Sequence, residues 1–545
     1  MSGGKKRPAG EGRPFKKRKF HKKPVKEGSN EEVLIADIKH FLKTLQPQDV
    51  PTSSSGTEVK ELAKPFTEVD VQIATISSTG DGLGTSQSSD QAYVVPFSAP
   101  GDTVRAKVIK HFPQEQYTLA DFLHVVKPSP LRDDSRSRCP YFASCGGCQF
   151  QMLAYPTQLA HKKTVVEKAY RNFSGLAQHL VPPVEDIIGS PLQYGYRTKL
   201  TPHFDRPRQG RGQADKDDEL RKRWEKVPPI GFMKKGLRKT IDIEDCPIGT
   251  DAVRNGMRRE RTKVAENIET YKRGATILLR ESTDRILRTA NGSSEEKIVD
   301  SRLGSNAPED IIDTSSPTRI DHKTCITDSN ATSTEYIDDL KLFNPAGAFF
   351  QNNNSILPIF TSYIRSHILP PTNTASASIT NLIDAYCGSG LFSISLASLF
   401  KSTTGIDISP SSIDYARRNA ISNNIPNAKF IAADATALFR EVTYPPDETV
   451  VVIDPPRKGC DASFLEQLMD FGPKRVVYVS CNVHTQARDL GVLVGGEKVP
   501  ELEGHGKSHY EIERLGGFDF FPQTSHVEGV AILSRLDGGK DTIKE

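Results

Sequence analysis

The stretch that decides the fold is residues 379–390, which read Ile-Thr-Asn-Leu-Ile-Asp-Ala-Tyr-Cys-Gly-Ser-Gly. Its first half, Ile379 to Asp384, is an apolar run that predicts a buried strand, and a small glycine-containing turn follows. The apolar segment from Leu391 to Phe400 predicts a helix directly after the turn. Glycine lets the backbone of such a turn approach a ligand closely. The stretch therefore predicts the first strand, turn and helix of an α/β sheet, with a ligand at the turn.

Two more acids follow at the ends of the next two predicted strands. Asp407 ends the second strand, 23 residues after Asp384, where a carboxylate can hold ribose hydroxyls. Asp434 follows the third strand. A nicotinamide site would place a third glycine three residues after Gly390, but Ser393 stands there. The set is the layout of an S-adenosyl-L-methionine (SAM) methyltransferase, so SAM is the predicted cofactor.

The residues at the ends of the fourth and fifth predicted strands narrow the type of methyl transfer that the site could carry out. The fourth strand ends in Asp454-Pro455-Pro456-Arg457, and the arginine stands where methyltransferases that act on amino groups place a stacking aromatic residue. The fifth strand, Val476 to Val479, leads to Cys481, a candidate nucleophile at the carboxyl end of a strand. Taken alone, a cysteine in that place is more often a buried residue with no catalytic role. Near the end of the chain, Glu528 precedes another strand and is predicted to overhang the same sheet edge.

Upstream of this region, short alternating strands begin at about Leu62 and end at Val126. Glycine-containing turns are predicted at residues 80–84 and at Pro100-Gly101-Asp102, and no helix fits between the strands. This pattern predicts a five-stranded barrel of the oligonucleotide-binding type. The turn sequences, with Val95-Pro96-Phe97 between them, resemble the TRAM domain, an RNA-binding barrel. A barrel used only for packing is the alternative.

Three cysteines between the two regions have the spacing of metal or cluster ligands. Cys139, Cys145 and Cys148 are separated by 6 and 3 positions, and two glycines lie between the last pair. Cys246, in Asp245-Cys246-Pro247, is the candidate fourth ligand. Cysteine-only ligation suits an iron–sulfur cluster or a structural zinc ion.

The rest of the central region gives weaker patterns. Residues 194–200, which include two tyrosines, an arginine and a lysine, predict a basic strand suited to RNA contact or an ordinary edge strand. The polar inserts 205–226 and 291–335 are predicted to be loops or disorder. Residues 31–46 predict a short amphipathic helix.

Composition sets the class of protein. The chain has 545 residues, 36% apolar and 26% charged, and no run of ~20 apolar residues that could span a membrane. Eight cysteines without a secretory signal core indicate a reducing, intracellular compartment. Residues 1–26 hold eleven Lys or Arg against one acid, and the run Lys16-Lys17-Arg18-Lys19 favours the nucleus, with cytoplasm or mitochondrion as alternatives. A monomer is expected.

Five segments occur in the order found in the RNA 5-methyluridine methyltransferase family, which the chain resembles over roughly residues 62–535. They are Phe350-Gln351-Asn352-Asn353, Tyr386-Cys387-Gly388-Ser389-Gly390, Asp454-Pro455-Pro456-Arg457, Ser480-Cys481-Asn482 and His526-Val527-Glu528. The chain is most similar to the eukaryotic, fungal-type members, which act on the T-loop uridine of tRNA. The resemblance implies an α/β protein with a basic tail, short helix and linker (1–61), a TRAM-like barrel (62–128), a central α/β RNA-binding domain with the cysteine site (129–345) and a Rossmann-like SAM domain (346–545).

The resemblance also implies roles for individual residues. Cys481 is expected to add to carbon-6 of uracil, and Glu528 to remove the carbon-5 proton. A [4Fe–4S] cluster is favoured over zinc at the four cysteines. SAM-contacting positions are expected at Gln351, Tyr386, Leu391, Asp407, Asp434 and Asp454. The alternatives are the same chemistry on rRNA and an RNA-folding or assembly factor in which methylation is incidental. A nuclease is disfavoured because no acid cluster has metal-binding spacing.

Overall fold

The structure is a computed structural model of the chain. It describes residues 25–45, 62–87, 89–206, 224, 226–288, 311–370, 378–433, 442–495 and 509–536. The basic run at 16–19, most of the insert at 205–226 and the predicted cofactor contact Asp434 lie outside the described residues. Within the described ranges, no helix is both long and apolar enough to cross a membrane.

The first part of the described chain is a helix followed by a closed barrel with strand order β1-β2-β3-β5-β4. The elements are α1 (Asn30–Leu45), β1 (Glu68–Ile76), β2 (Gly82–Ser86), β3 (Ser89–Val95), β4 (Thr103–Phe112) and β5 (Tyr117–Lys127). The predictions of a helix here and of a five-stranded barrel are confirmed. The finer assignment to the TRAM type stays a prediction.

One detail of the predicted barrel is wrong, because Gly82 and Gly84 lie inside β2 rather than in a turn. A side chain at Gly84 would place its Cβ 2.2 Å from the backbone oxygen of Gln72 in β1. Glycine is needed at this position for the close approach of two strands, which is a common role of glycine within sheets.

The central region is built from small antiparallel sheets and two helices. Its elements are α2 (Tyr155–Phe173), β6 (Lys199–Leu200), β7 (His203–Phe204), β8 (Gly231–Met233), β9 (Thr240–Asp242), α3 (Asp251–Glu266), β10 (Ala275–Thr276), β11 (Leu279–Leu287), β12 (Ile312–Ser315), β13 (Arg319–Ile326), β14 (Thr332–Ile337) and β15 (Leu340–Pro345). They form sheets of order β10-β7-β8-β9 and β12-β13-β11-β6 and the hairpin β14-β15.

Two predictions for this region are wrong. Residues 194–200 are not one strand: only the last two belong to β6, since Gly195 has a left-handed φ of 62° and Arg197 pairs in single bridges with Gly249 and Asn353. Residues 291–310 of the second predicted insert lie outside the described residues, and residues 311–335 contain β12, β13 and the first part of β14. Polar composition misled the prediction, because β13 pairs with β11 along its whole length and this pairing satisfies the backbone.

The last part of the chain carries a seven-stranded sheet with order β18-β17-β16-β19-β20-β22-β21. Its elements are α4 (Leu357–His367), β16 (Asn381–Ala385), α5 (Leu391–Ser395), β17 (Ser402–Asp407), α6 (Pro410–Ser422), β18 (Ala428–Ala432), β19 (Thr449–Ile453), α7 (Ala462–Phe471), β20 (Arg475–Ser480), α8 (Val483–Val494), β21 (Tyr510–Phe518) and β22 (Glu528–Arg535). The predicted helix 391–400 is shorter than expected, because a separate 3-10 turn, Ala397–Leu399, follows α5.

The direction of the strands positions the site. The first five strands of the sheet order, β18 to β20, are parallel, so the residues that follow them meet at one edge. β22 runs antiparallel to β20, and Ser480 pairs with Gly529. The amino end of β22 therefore lies at the same edge as the carboxyl end of β20. This register brings Glu528 next to the loop that carries Cys481.

Candidate active site

Cys481 lies at the junction between β20 and α8. The next residue, Asn482, begins the helix, and its side-chain oxygen accepts a hydrogen bond from the His484 N–H at 3.3 Å. Its side-chain nitrogen donates to the Arg457 carbonyl at 2.9 Å. One asparagine thus joins the cysteine turn to the loop after β19, and the Arg457 guanidinium is held beside the thiol.

The charges around Cys481 suppress its ionisation in the unliganded protein. Burial first, and then the carboxylates of Glu528 and Asp454, raise the pKa of the Cys481 thiol to about 12. Arg457 opposes them through its charge and a hydrogen bond. The thiol is therefore protonated at neutral pH until positive charge enters the site or the carboxylates are neutralised.

Glu528 is a deeply buried acid at this edge. Its side chain is 1% exposed, and neither carboxylate oxygen has a hydrogen-bond partner among the described residues. Burial first, and then the neighbouring Asp454, raise the pKa of Glu528 well above its usual range, while Arg457 lowers it. Burial also raises the pKa of Asp454 to about 7. Two acids with raised pKa values beside a thiol are typical of a site that moves protons.

A buried ion pair holds the loop that leads into Glu528. The Lys162 ammonium lies 2.9 Å from the Asp519 carboxylate, and both side chains are fully buried. Lys162 also donates hydrogen bonds to the carbonyls of Phe521, at 3.2 Å, and His526. Three acceptors in one loop compensate the buried cation. The lysine on α2 thereby sets the path of the segment between β21 and β22.

The glycine turn after β16 is tied to the acid at the end of β17. Gly388 has φ 54° and its N–H donates to Asp407 Oδ2 at 3.0 Å, while the Ser409 N–H donates to Asp407 Oδ1 at 2.8 Å. Asp384 is fully buried and accepts from the N–H and hydroxyl of Ser393. Asp384 thus binds α5, the helix that follows the turn, and Asp407 binds the backbone of the turn itself at Gly388.

The other predicted cofactor positions differ in accessibility. Tyr386 lies in the same turn, with a left-handed φ of 63°. Leu391 is 8% exposed and packs in the apolar core, so its side chain has little surface to offer a ligand. Gln351 is buried between β15 and α4, beside Asn352, whose carbonyl accepts from Thr198 N–H at 2.9 Å. The structure thus links the Gln351 segment to the central region.

Three residues near the site were given no role from the sequence. Ile408, directly after Asp407, exposes 69% of its surface, which suits an apolar contact with a flat ligand such as an adenine ring. The sequence feature that could have identified Ile408 is an apolar residue directly after an acid at the end of a predicted strand. His526 lines the cavity with Cys481, and burial lowers its pKa to about 4, so its ring is neutral. No sequence signal pointed to Lys162.

The four predicted ligand cysteines lie close enough together for a charge on one thiol to change the pKa of others in the set. The pKa of Cys148 is raised by burial first and then by Cys246, and the pKa of Cys246 is raised to about 12 by burial first, with Cys139 and Cys145 adding to it. In the described ranges, however, no group of three or more His, Cys, Asp or Glu side chains is arranged to hold a metal ion. The predicted cluster or zinc site is therefore not confirmed.

Comparison with known proteins places these features in a family. The model of the tRNA (uracil-5-)-methyltransferase family matches residues 331–536. A tRNA (uracil(54)-C(5))-methyltransferase of Schizosaccharomyces pombe is 44% identical over 522 residues, which cover 94% of this chain and 85% of the relative. The protein of that description from Saccharomyces cerevisiae is 37% identical over 554 residues, with 96% and 83% covered.

A solved structure shares the fold. It is the Pyrococcus abyssi tRNA (uracil-54, C5)-methyltransferase in complex with S-adenosyl-L-homocysteine. The alignment covers 85% of this chain and 99% of that chain, with 23% identity and a TM-score of 0.53. At this identity the likeness shows the fold alone.

Proposed function

This chain belongs to the tRNA (uracil-5-)-methyltransferase family of SAM-dependent RNA methyltransferases, and on that premise we propose that it methylates carbon-5 of uridine 54 in the T-loop of tRNA. The observation that carries the proposal is the pairing of Ser480 with Gly529, which places Cys481 and Glu528 at one sheet edge. The fungal relatives, both described as acting on uracil 54 of tRNA, favour tRNA over rRNA.

The proposed chemistry starts at Cys481. Carbon-5 of uracil is a weak nucleophile, so its methylation needs activation. Cys481 loses its proton to solvent, its thiolate adds to carbon-6, and the electron pair of the carbon-5–carbon-6 double bond moves toward the carbon-4 carbonyl. The resulting enolate makes carbon-5 nucleophilic. SAM, when bound, would supply the methyl group and a positive charge to the site. That charge and Arg457 together favour the thiolate, which the carboxylates disfavour in the unliganded protein.

Glu528 completes the proposed reaction. After methylation, carbon-5 carries both the new methyl group and its original proton. The Glu528 carboxylate takes that proton, the double bond re-forms and the carbon-6–sulfur bond breaks, which releases the Cys481 thiolate. A base with a raised pKa holds the abstracted proton well, and the buried carboxylate of Glu528 has this property. Gln351, Tyr386, Asp407 and Asp454 are proposed to line the SAM side of the site.

Methyl transfer to defined RNAs tests the substrate. We expect radiolabelled methyl from SAM to enter an unmodified tRNA transcript, and a transcript with cytidine in place of uridine 54 to take up none. Fragments of rRNA serve as competing substrates in the same assay. Labelling of rRNA but not of tRNA would contradict the proposed substrate and would leave the proposed reaction intact. No labelling of any RNA would favour an RNA-folding or assembly factor.

We also infer that Cys139, Cys145, Cys148 and Cys246 hold an iron–sulfur cluster. The support is a four-thiol set whose members influence one another electrostatically and are all half-buried. A cluster spans more space than one ion, and such clusters take four thiolates.

Protein purified without oxygen tests the cluster. We expect about four iron atoms per chain and a brown colour in the wild-type protein, since four thiolates take a [4Fe–4S] cluster. The Cys246→Ser variant should lose both. Cys325→Ser is the matched control, because Cys325 is a buried cysteine of β13 outside the set, and it should keep its iron. One zinc ion per chain, or equal iron in both variants, would contradict the inference.

A further inference from the structure

The turn between β8 and β9 carries four positive side chains and no acid. Residues 234–239, which we call the basic turn, read Lys-Lys-Gly-Leu-Arg-Lys. The Lys234 N–H donates a hydrogen bond to the Lys239 carbonyl at 2.9 Å, and Gly236 adopts a left-handed φ of 75°. These two features close the turn and make Lys234 and Lys239 neighbours across it. The positive charges are therefore concentrated in a small area.

The segment that carries the first three predicted ligand cysteines holds the basic turn from one side. The Lys235 N–H donates to the Ser144 carbonyl at 2.9 Å, and Lys234 pairs with Cys145 in a single antiparallel bridge. The barrel holds the turn from another side, because the Lys235 ammonium forms an ion pair with Asp81, just before β2, at 2.8 Å. The position of the basic turn is therefore fixed by two parts of the fold.

The basic turn lies beside the cavity of Cys481. Its Lys235 lines a cavity of about 380 Å³ that Cys481 also lines. Gly146 and Gly147 line the same cavity and are exposed to solvent. The Gly146 N–H donates to the Met233 carbonyl, at the base of the turn, at 3.0 Å. The turn is therefore attached to the solvent-facing wall of the cavity.

The other three positive side chains of the turn face solvent. Lys234, Arg238 and Lys239 are exposed, and none of them forms an ion pair with a residue in the part of the chain that the structure describes. A second barrel acid, Asp121, lies near the turn, since a Cβ at Gly236 would be 3.8 Å from its Oδ1 atom. The four positive charges of the turn still exceed the negative charge of the two barrel acids beside it.

The wall of the cavity extends this positive surface toward Cys481. Four Lys or Arg side chains line the cavity among the described residues, and Glu27 is the single acid there. The Glu27 carboxylate lies 3.3 Å from the Arg488 guanidinium, which compensates its charge. The four positive side chains are those of Lys26, Lys235, Arg457 and Lys458. A polyanion that reaches the cavity therefore meets positive charge on its wall and on the adjoining turn.

We propose that the basic turn is an RNA-binding surface, and that Lys234, Arg238 and Lys239 contact the phosphates that flank the target uridine. This inference rests on the proposed function, in which tRNA is the substrate. Contacts from lysine and arginine to phosphates fix the position of an RNA without reading its sequence. Because the turn is attached to the cavity wall, these contacts lie next to Cys481. They compensate the free-energy cost of flipping the target base into the cavity.

Affinity for tRNA gives the first test. The double variant Lys234→Gln and Lys239→Gln should raise the Kd for an unmodified tRNA transcript about 10-fold near 0.1 M salt. The slope of log K against log salt should fall by about 1.5, because each lost phosphate contact contributes about 0.7 to 0.9. The matched control is Lys401→Gln with Lys429→Gln, two exposed lysines next to the amino ends of β17 and β18, at the sheet edge opposite Cys481. The control should keep the wild-type Kd and slope. An unchanged Kd and slope in the first variant, or an equal loss of affinity in both variants, would overturn the proposal.

Photocrosslinking from Leu237, which is 51% exposed in the basic turn, tests the position of the surface. A photoreactive phenylalanine at Leu237 in the full-length protein should crosslink to the tRNA arm that carries the target uridine. The same photoreactive residue at Ile421, which is 79% exposed near the end of α6, is the control and should not crosslink to that arm. Crosslinks from Leu237 to another arm, or spread evenly over the tRNA, would overturn the proposal. Both tests are made without SAM, so failure of the proposed reaction and failure of this surface are distinguishable.

Discussion

Replacement of Cys481 by alanine is expected to lower the rate of methyl transfer by at least about 10⁴-fold, since removing a nucleophile that forms a covalent bond removes the whole reaction path. The variant keeps the fold, because Cys481 follows β20 and the backbone of that strand is held by β19 and β22 on its two sides. A tRNA that carries 5-fluorouridine gives the direct measurement. With the wild-type protein and SAM, the fluorine stands where Glu528 would remove a proton, so the covalent adduct persists on a denaturing gel. Cys481→Ala should give no adduct.

Cys460 provides the matched control for this experiment. It is the cysteine nearest to the loop after β19, and it is buried, with its sulfur 3.7 Å from the Tyr478 hydroxyl. Burial raises the pKa of Cys460 well above its usual range, and Asp489 adds to this effect. Cys460→Ala should still form the adduct. An adduct in Cys481→Ala, or its loss in Cys460→Ala with the fold intact, would assign the nucleophile to another residue.

Replacement of Glu528 by glutamine should separate the two halves of the reaction. Glutamine has nearly the same shape, so Cys481 should still add to carbon-6 and the methyl group should still reach carbon-5. Without a base, the carbon-5 proton stays and the enzyme remains bound to ordinary tRNA. Turnover should fall by about 10²- to 10⁴-fold, the usual contribution of a general base. The methylated adduct should accumulate on a denaturing gel without any fluorine in the RNA.

The pH dependence of this variant provides a further check. The pKa of Glu528 is raised by burial and by Asp454, so the carboxylate forms only as pH rises through that value. Resolution of the adduct by the wild-type protein should therefore speed up with pH, and this limb should disappear in Glu528→Gln. Glu511→Gln, on an exposed position of the neighbouring strand β21, should behave as the wild type. Normal turnover of Glu528→Gln would exclude this residue as the base.

Much of the catalytic sheet could be predicted because its signals are local. Apolar runs mark β16, β17, β19 and β20, and each ends within a few residues of the predicted boundary. The positions of the strand-end acids and of Cys481 could be predicted because these residues come at or just after the ends of the same apolar runs. The prediction for the insert at 291–335 failed for a matching reason, because β13 is polar and half-buried, and its pairing with β11 has no local signature.

The sequence by itself determined the order of the strands, the glycine turn and the place of Cys481 at a strand end, because apolar period and turn chemistry are encoded in neighbouring residues. Only the tertiary structure decided that β22 runs antiparallel to β20 and brings Glu528 to the thiol. It also decided that burial, and then Glu528 and Asp454, raise the pKa of Cys481 and that residues 26–29 line the same cavity. Strand register, burial and charge proximity depend on residues far apart in the chain, so no local pattern contains them.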